Sequence, residues 1–106
     1  MSRLSAMSVG FLAAGAFTGA YAGDRELGAY LSAECVTCHQ LSGHVTGGVP
    51  QITGWPAENF VAVMNSYKDK QRENPVMQTI AGRLGADEID ALAAYFGAVM
   101  SQSSAK

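Results

Sequence analysis

Apolar residues recur at helical spacing in three stretches of the chain. In the first stretch, Leu27, Leu31 and Cys35 follow Asp24 at four-residue intervals, and aspartate favours the N-cap of a helix. The second stretch has the i, i+3, i+4, i+7 pattern: Phe60, Val63, Met64 and Tyr67. The third has a wider stripe: Ile89, Leu92, Ala93, Phe96 and Met100. These patterns predict amphipathic helices, and no stretch alternates with the period of a strand.

Glycine and proline interrupt the helical pattern at several points. Residues 40–53 are rich in both and predict a loop. Pro56 is expected at the first position of the second helix. Residues 74–77 predict another break, and we expect a short helix over residues 78–84, with Gly85 as its stop. Ala86 or Asp87 then opens the last helix.

Gly28 stands in the middle of the first predicted helix. A glycine there costs about 1 kcal/mol relative to alanine. Two explanations remain at this stage: neutral drift in a short helix, or the close approach of another helix.

The first 22 residues have the features of an export signal. Arg3 is followed by a short apolar run, and Ala20-Tyr21-Ala22 fits the A-x-A cleavage pattern. We therefore expect residues 1–22 to be a signal peptide cleaved after Ala22, and residues 23–106 to form one domain. Retention as a membrane anchor is the alternative, for which the apolar run is short. The formal net charge of −2 argues against a nucleic-acid partner.

The segment Cys35-Val36-Thr37-Cys38-His39 is the most specific pattern in the chain. C-x-x-C-H is typical of covalent haem c attachment. Each thiol can add to one haem vinyl group and form a thioether, and the histidine that follows can ligate the iron through a ring nitrogen.

Three other chemistries use paired cysteines. A zinc site could recruit His44, but the usual second pair of ligands is absent from the sequence. A thioredoxin-like redox pair would need a βαβ context, which the helical pattern does not provide. A plain disulfide would leave His39 without a role. Haem attachment is therefore the favoured hypothesis.

Several features together resemble class I cytochrome c. They are the haem motif after a first helix, the glycine- and proline-rich loop, a methionine at position 77 and the closing helix containing residues 92–96. Residues 49–54 look like the Pro-x-(Leu/Ile)-x-Gly stretch of short bacterial members. Residues 67–81 are similar to single-haem halves of dihaem cytochrome c and to the cytochrome subunit of flavocytochrome c sulfide dehydrogenase.

The resemblance implies an all-α fold, with three to four helices around a covalently bound haem. The N-terminal and C-terminal helices would cross near Gly28 and the Ala94–Tyr95 turn. Such a crossing would explain the glycine by close approach.

The resemblance also implies roles for individual residues. Cys35 and Cys38 would form the thioethers to one haem c, and His39 would be the iron ligand on one face. The backbone carbonyl of Pro50 would accept a hydrogen bond from the other ring nitrogen of His39. Met77 would donate its sulfur to the opposite face of the iron.

Other residues compete with Met77 or have two possible roles. Met64 and Met100 lie on helix stripes, where methionine is usually core, whereas Met77 follows Asn-Pro and can reach inward from a loop. An open iron site or ligation by His44 are further alternatives. Trp55 could donate its indole N–H to a haem propionate, and it could equally be a core residue.

A haem with histidine and methionine ligands has no open position for a substrate. The resemblance therefore implies electron transfer and no catalysis of its own. The chain would be a periplasmic carrier or the haem subunit of an oxidoreductase such as sulfide dehydrogenase. Its partners would be redox proteins, including a flavoprotein subunit, and no small-molecule substrate is expected. The alternative is a haem sensor or enzyme with an open distal site, and Met77 distinguishes the two.

Overall fold

The structure is a computed structural model that describes residues 10, 23–42, 45 and 47–99. These residues form helices and contain no extended strand. The helices are α1 (Arg25–Cys35), α2 (Ala57–Lys68), α3 (Pro75–Gly82) and α4 (Ala86–Ala98). The expected all-α fold is confirmed. Apart from Gly10, the predicted signal peptide over 1–22 lies outside the described residues.

Helix α1 begins where the sequence predicts. The side chain of Asp24 accepts hydrogen bonds from the backbone N–H groups of Glu26 and Leu27 at 2.9 and 3.2 Å. These bonds satisfy two donors that a helix start would otherwise leave unpaired, and such a cap contributes about 1 kcal/mol.

Helix α1 lies very close to α4 at Gly28. A Cβ atom at this position would overlap the carbonyl oxygen of Ala91 and lie 2.7 Å from Cβ of Tyr95. Gly23, just before the N-cap of α1, shows the same situation: a Cβ there would overlap the carbonyl oxygen of Asp90. The crossing of the first and last helices therefore depends on glycine, and close approach explains Gly28.

The most buried residues of α1 are small ones that lie beside the predicted apolar residues, of which Leu31 and Cys35 pack against the core. Gly28 and Ser32 are its buried residues, whereas Leu31 and Cys35 are only partly buried and the side chain of Tyr30 is 80% exposed. The reason is the close approach to α4, which brings the small residues of α1 to the centre of the contact. The long apolar side chains are left at its margin.

The core lies between α2 and α4. The rings of Phe60 and Phe96 stack with centroids 5.9 Å apart, and Trp55 meets Phe60 edge to face at 6.5 Å. The remaining large buried apolar side chains of the described residues are Ile52, Met64, Ile89 and Leu92. Full burial of each such side chain contributes roughly 1.5–3 kcal/mol. Most of these core side chains belong to the apolar faces that the sequence predicts for α2 and α4.

Helix α3 covers Pro75–Gly82, so the prediction of a helix over 78–84 is wrong at both ends, and Gly85 is the N-cap of α4 and not the stop of α3. The Asn-Pro pair opens the helix: the side chain of Asn74 accepts a hydrogen bond from the N–H of Met77 at 3.1 Å. Pro75 takes the first helical position, where its missing N–H costs nothing. Met77 consequently lies in the first turn of a helix and not in a loop.

The other helix starts show smaller differences. Helix α2 begins at Ala57. Pro56 is its N-cap, whereas the sequence predicts Pro56 at the first helical position. Helix α4 begins at Ala86, one of the two predicted starts, and the N–H of Gly85 donates to Glu88 Oε1 at 2.9 Å. No described helix is both long enough and apolar enough to cross a membrane.

Candidate haem-binding site

The cysteine–histidine segment forms a turn that continues α1. The N–H of Cys38 donates to the carbonyl of Cys35 at 3.2 Å, and the N–H of His39 donates to the same carbonyl at 2.8 Å. This turn holds the two cysteines in a fixed relation. Cys35 is partly buried, Cys38 is exposed, and both are free thiols.

The environment of Cys35 favours an uncharged sulfur. Burial, assisted by the negative charge of neighbouring Glu34, raises the pKa of the Cys35 thiol to about 11. A thiolate is therefore disfavoured at this position. A thioether is neutral and cannot ionise, so conversion of this thiol to a thioether suits its surroundings.

A hydrogen bond fixes the ring of His39. Nδ1 of His39 lies 2.8 Å from the carbonyl oxygen of Pro50. A carbonyl can only accept, so Nδ1 carries the proton and donates it. In the neutral ring, Nε2 then keeps a lone pair and can ligate a metal. Metal-binding histidines usually have such a partner, which sets both the tautomer and the ring orientation.

The loop that carries Pro50 is shaped by glycines and tied to α4. Gly47 and Gly48 have φ values of 61° and 79°, in the left-handed region that glycine adopts without a steric penalty. At the end of the loop, the N–H of Gly54 donates to the carbonyl of Phe96 at 2.9 Å. The last part of the loop is therefore tied to His39 through Pro50 and to the last helix through Gly54.

Met77 packs against the same buried cluster as Cys35, although the two residues belong to different helices. Helix α3 is held at the end of α2 by two side-chain bonds. The Lys68 ammonium donates to the carbonyl of Leu84, and Nε2 of Gln78 donates to the carbonyl of Arg72 at 2.9 Å. The fold thus brings the sulfur-bearing turn of α3 onto the core.

Trp55 also packs against this cluster, where its edge contacts Phe60. The contact supports the core interpretation of Trp55, and the proposed bond from its indole N–H to a propionate stays a prediction. Other partly buried side chains pack on the cluster in the same way: Leu31, Leu41 and Tyr67.

Three other residues could compete with Met77 as the iron ligand, and the structure describes one of them. Met64 is 5% exposed and belongs to the core, as its helical spacing predicts. Met100 and His44 lie outside the described residues. Within the described part of the chain, no group of three or more histidine, cysteine, aspartate or glutamate side chains is arranged to hold a metal ion.

Two features of the site region lie outside the predictions from hydrophobic spacing and the haem-attachment pattern: the cap formed by Asn74 and an ion pair. The cap formed by Asn74 could have been found, because asparagine followed by proline and a helical stretch is a recognised start signal. The ion pair between Arg83 and Glu34 could not, because its partners are 49 positions apart. No local pattern relates residues at that separation.

The donor set fits a covalently bound haem. Two thiols for vinyl groups stand one turn apart, and an imidazole with a free Nε2 follows them directly. Apolar side chains, including that of Met77, pack around the adjoining core. These groups suit a large apolar macrocycle that needs axial ligands.

Two solved structures with a similar fold are cytochromes c4. Cytochrome c4 from Pseudomonas stutzeri aligns with a TM-score of 0.66 at 21% identity, over 72% of this chain and 48% of that one. Cytochrome c4 from Acidithiobacillus ferrooxidans aligns with a TM-score of 0.64 at 21% identity, over 76% and 52%.

The chain has the class I cytochrome c fold.

A third solved structure is more similar in sequence. Thiosulfate dehydrogenase from Marichromatium purpuratum aligns with a TM-score of 0.58 at 35% identity, over 63% of this chain and 15% of that one. No protein-family model matches the chain.

Relatives found by sequence are named as an electron acceptor and as a cytochrome subunit of dehydrogenases. A thiosulfate dehydrogenase electron acceptor from Stutzerimonas stutzeri is 34% identical over 67 residues, which are 61% of this chain and 31% of the relative. The cytochrome subunit of sulfide dehydrogenase from Chlorobaculum tepidum is 31% identical over 70 residues, 66% of this chain and 64% of the relative. The chain thus spans about a third of the first relative and less than two thirds of the second.

Proposed function

We propose that this chain binds one haem c covalently through Cys35 and Cys38 and serves as an electron-transfer protein. The observation that carries the proposal is the hydrogen bond from Nδ1 of His39 to Pro50. This bond leaves the lone pair of Nε2 available to ligate a metal. His39 directly follows two cysteines with the spacing that haem attachment requires.

When bound, the haem iron supplies one-electron redox chemistry. His39 would hold one face of the iron through Nε2, and Pro50 would keep the imidazole in the required tautomer. Met77 would hold the other face through its sulfur, and a thioether ligand favours the reduced iron and raises the reduction potential. With both faces held by protein side chains, the site would pass electrons and would leave no open position for a substrate. Trp55 would donate its indole N–H to a propionate.

The relatives support a partner class. One is named as the electron acceptor of thiosulfate dehydrogenase and another as the cytochrome subunit of sulfide dehydrogenase. We propose that this chain accepts electrons from a dehydrogenase that oxidises a reduced sulfur compound, with a flavoprotein subunit as one form of that partner. The proposed location is the periplasm, after cleavage of the signal peptide at Ala22.

A matched pair of methionine variants tests the axial ligand. Met77→Leu removes the sulfur but keeps a similar volume, and Met64→Leu makes the same change in the core. We expect Met77→Leu to abolish the absorbance band of methionine sulfur on ferric haem iron and to lower the reduction potential. Met64→Leu should keep both. Loss of the band in the Met64 variant alone would overturn the assignment of Met77.

Haem attachment is tested by the spectrum in alkaline pyridine. The chain is produced in cells that carry the haem c maturation system, and the denatured protein should retain haem with two thioether bonds. Cys35→Ala should leave a single thioether and shift the pyridine spectrum accordingly. A denatured protein that releases all its haem would contradict the proposal.

Electron transfer is tested with the purified holoprotein in its oxidised form. Reduction is followed by absorbance after mixing with a thiosulfate dehydrogenase and thiosulfate. We expect reduction only when both are present. A parallel mixture uses sulfide and the flavoprotein of a sulfide dehydrogenase, with sulfide alone as the control for direct reduction. If neither enzyme accelerates reduction, the proposed partner class is wrong.

A further inference from the structure

The two halves of the proposed iron site lie on helices that do not pack directly against each other. Within the described chain, α1 packs on α4, and α2 packs on both α3 and α4. The cysteine–histidine turn ends α1, and Met77 lies in α3. Their relative position is therefore set indirectly, through α4 and α2, unless another contact joins them.

One ion pair makes this connection. Nη2 of Arg83 donates to Oε1 of Glu34. Among the described residues, no other ion pair is found. Arg83 is the C-cap of α3, and its own N–H donates to the carbonyl of Ile80 at 3.2 Å. Glu34 directly precedes Cys35 at the end of α1. The pair thus joins the end of the Met77 helix to the start of the haem-attachment turn.

We infer that Arg83 and Glu34 are positioning residues that keep Met77 on the iron. The inference rests on the proposed function, because it assigns the pair a role only if Met77 is the ligand. The pair acts by limiting how far α3 can move from the attachment turn. Neither residue is a proposed ligand, so the effect of the pair would be on the fraction of molecules in which the sulfur is bound.

The exposure of the pair sets the size of the effect. The side chains of Arg83 and Glu34 are 59% and 53% exposed, so water and salt screen their attraction. Exposed ion pairs contribute weakly, and we expect a change of about twofold to fivefold in the equilibrium between bound and displaced sulfur. The same exposure makes the effect sensitive to ionic strength.

The test uses ferric holoprotein and imidazole, which competes with Met77 for the iron. Arg83→Gln removes the charge and keeps a helix-compatible side chain, and we expect imidazole to bind about twofold to fivefold more tightly. Glu34→Gln should give the same change, and the double variant should exceed neither single variant. Exchange of the charges, Glu34→Arg with Arg83→Glu, should restore the original affinity.

Two controls separate positioning from other effects. Arg25→Gln removes the same charge from an exposed residue that forms no ion pair within the described part of the chain, and it should leave imidazole affinity unchanged. High salt should raise the imidazole affinity of the unaltered protein towards that of the double variant and leave the double variant unaffected. If Arg83→Gln behaves like Arg25→Gln, or if the two single effects add, the inference is wrong.

Met77→Leu distinguishes this failure from failure of the proposed function. It should bind imidazole far more tightly than any ion-pair variant, because no sulfur then competes. If it does so while Arg83→Gln has no effect, only the positioning role is wrong. If Met77→Leu leaves imidazole affinity unchanged, the ligand assignment itself is wrong.

Discussion

At the scale of single residues, the bond between His39 and Pro50 determines which ring nitrogen can donate electrons to a metal. The acceptor is a backbone carbonyl, so the arrangement depends on the path of the loop and not on a proline side chain. Gly47 and Gly48 allow this path through their positive φ values. The tautomer of one histidine is thus set by the backbone path of a loop.

Gly28 is the position at which an added methyl group should lower the stability of the fold most. Gly28→Ala would force a Cβ into the carbonyl oxygen of Ala91, and we expect a loss of about 1–3 kcal/mol in the free energy of unfolding. The measurement is urea unfolding of the holoprotein.

Gly82→Ala is the matched control for this substitution. Gly82 also lies in a helix, but a Cβ there would meet nothing within 4 Å. We expect this variant to be as stable as the original, or more stable by about 0.4–1 kcal/mol, since alanine restricts the unfolded chain. Equal losses in the two variants would show that helix crossing does not limit position 28.

At the scale of the element, α3 is a short helix whose start carries the proposed sulfur ligand. Its eight residues are too few to be stable alone, so capping and packing must maintain it. Asn74 provides the cap, and its acceptor bond reaches the backbone of Met77 itself. Loss of this cap should loosen the turn that holds the sulfur.

We therefore expect Asn74→Ala to have two effects. The free energy of unfolding should fall by about 1 kcal/mol, and imidazole should displace Met77 more readily from ferric haem. Asp24→Ala removes the equivalent cap of α1, which lies far along the chain from Met77. It should cost a similar free energy without changing imidazole affinity. An equal rise in imidazole affinity in both variants would point to general destabilisation and contradict a local role for Asn74.

At the scale of the whole molecule, the core is thin for a stable domain. The described residues contain nine buried apolar side chains, and three of these are alanines. Small domains with so little buried volume usually depend on a cofactor or cross-links. A haem that binds only the folded chain would contribute its binding free energy to folding.

Removal of the haem should consequently unfold much of the protein. The double variant Cys35→Ala, Cys38→Ala, prepared without haem, is expected to lose most of its helical circular dichroism and its cooperative thermal transition. The holoprotein measured under the same conditions should keep both. A haem-free variant that melts cooperatively at the holoprotein's midpoint would show that the polypeptide core is sufficient.

Local features of the chain were predictable from the sequence because they depend on residues within one or two turns. Asp24 starts α1 by bonding to the next few N–H groups, and the stripes of α2 and α4 place Phe60 and Phe96 inside. The Cys35–His39 segment likewise predicts haem attachment from its local spacing alone, and this stays a prediction. The start of α3 was predictable in principle, since Asn-Pro is a start signal as well as a break.

Features that join distant parts of the chain required the tertiary structure. The sequence by itself determined the haem-attachment pattern, the helical class and the position of three of the helices, because spacing and capping are local properties. Only the tertiary structure decided which face α1 buries, since that depends on how closely α4 approaches Gly28. It also decided that Pro50 meets His39 and that Glu34 meets Arg83, because packing of the intervening helices brings these residues together.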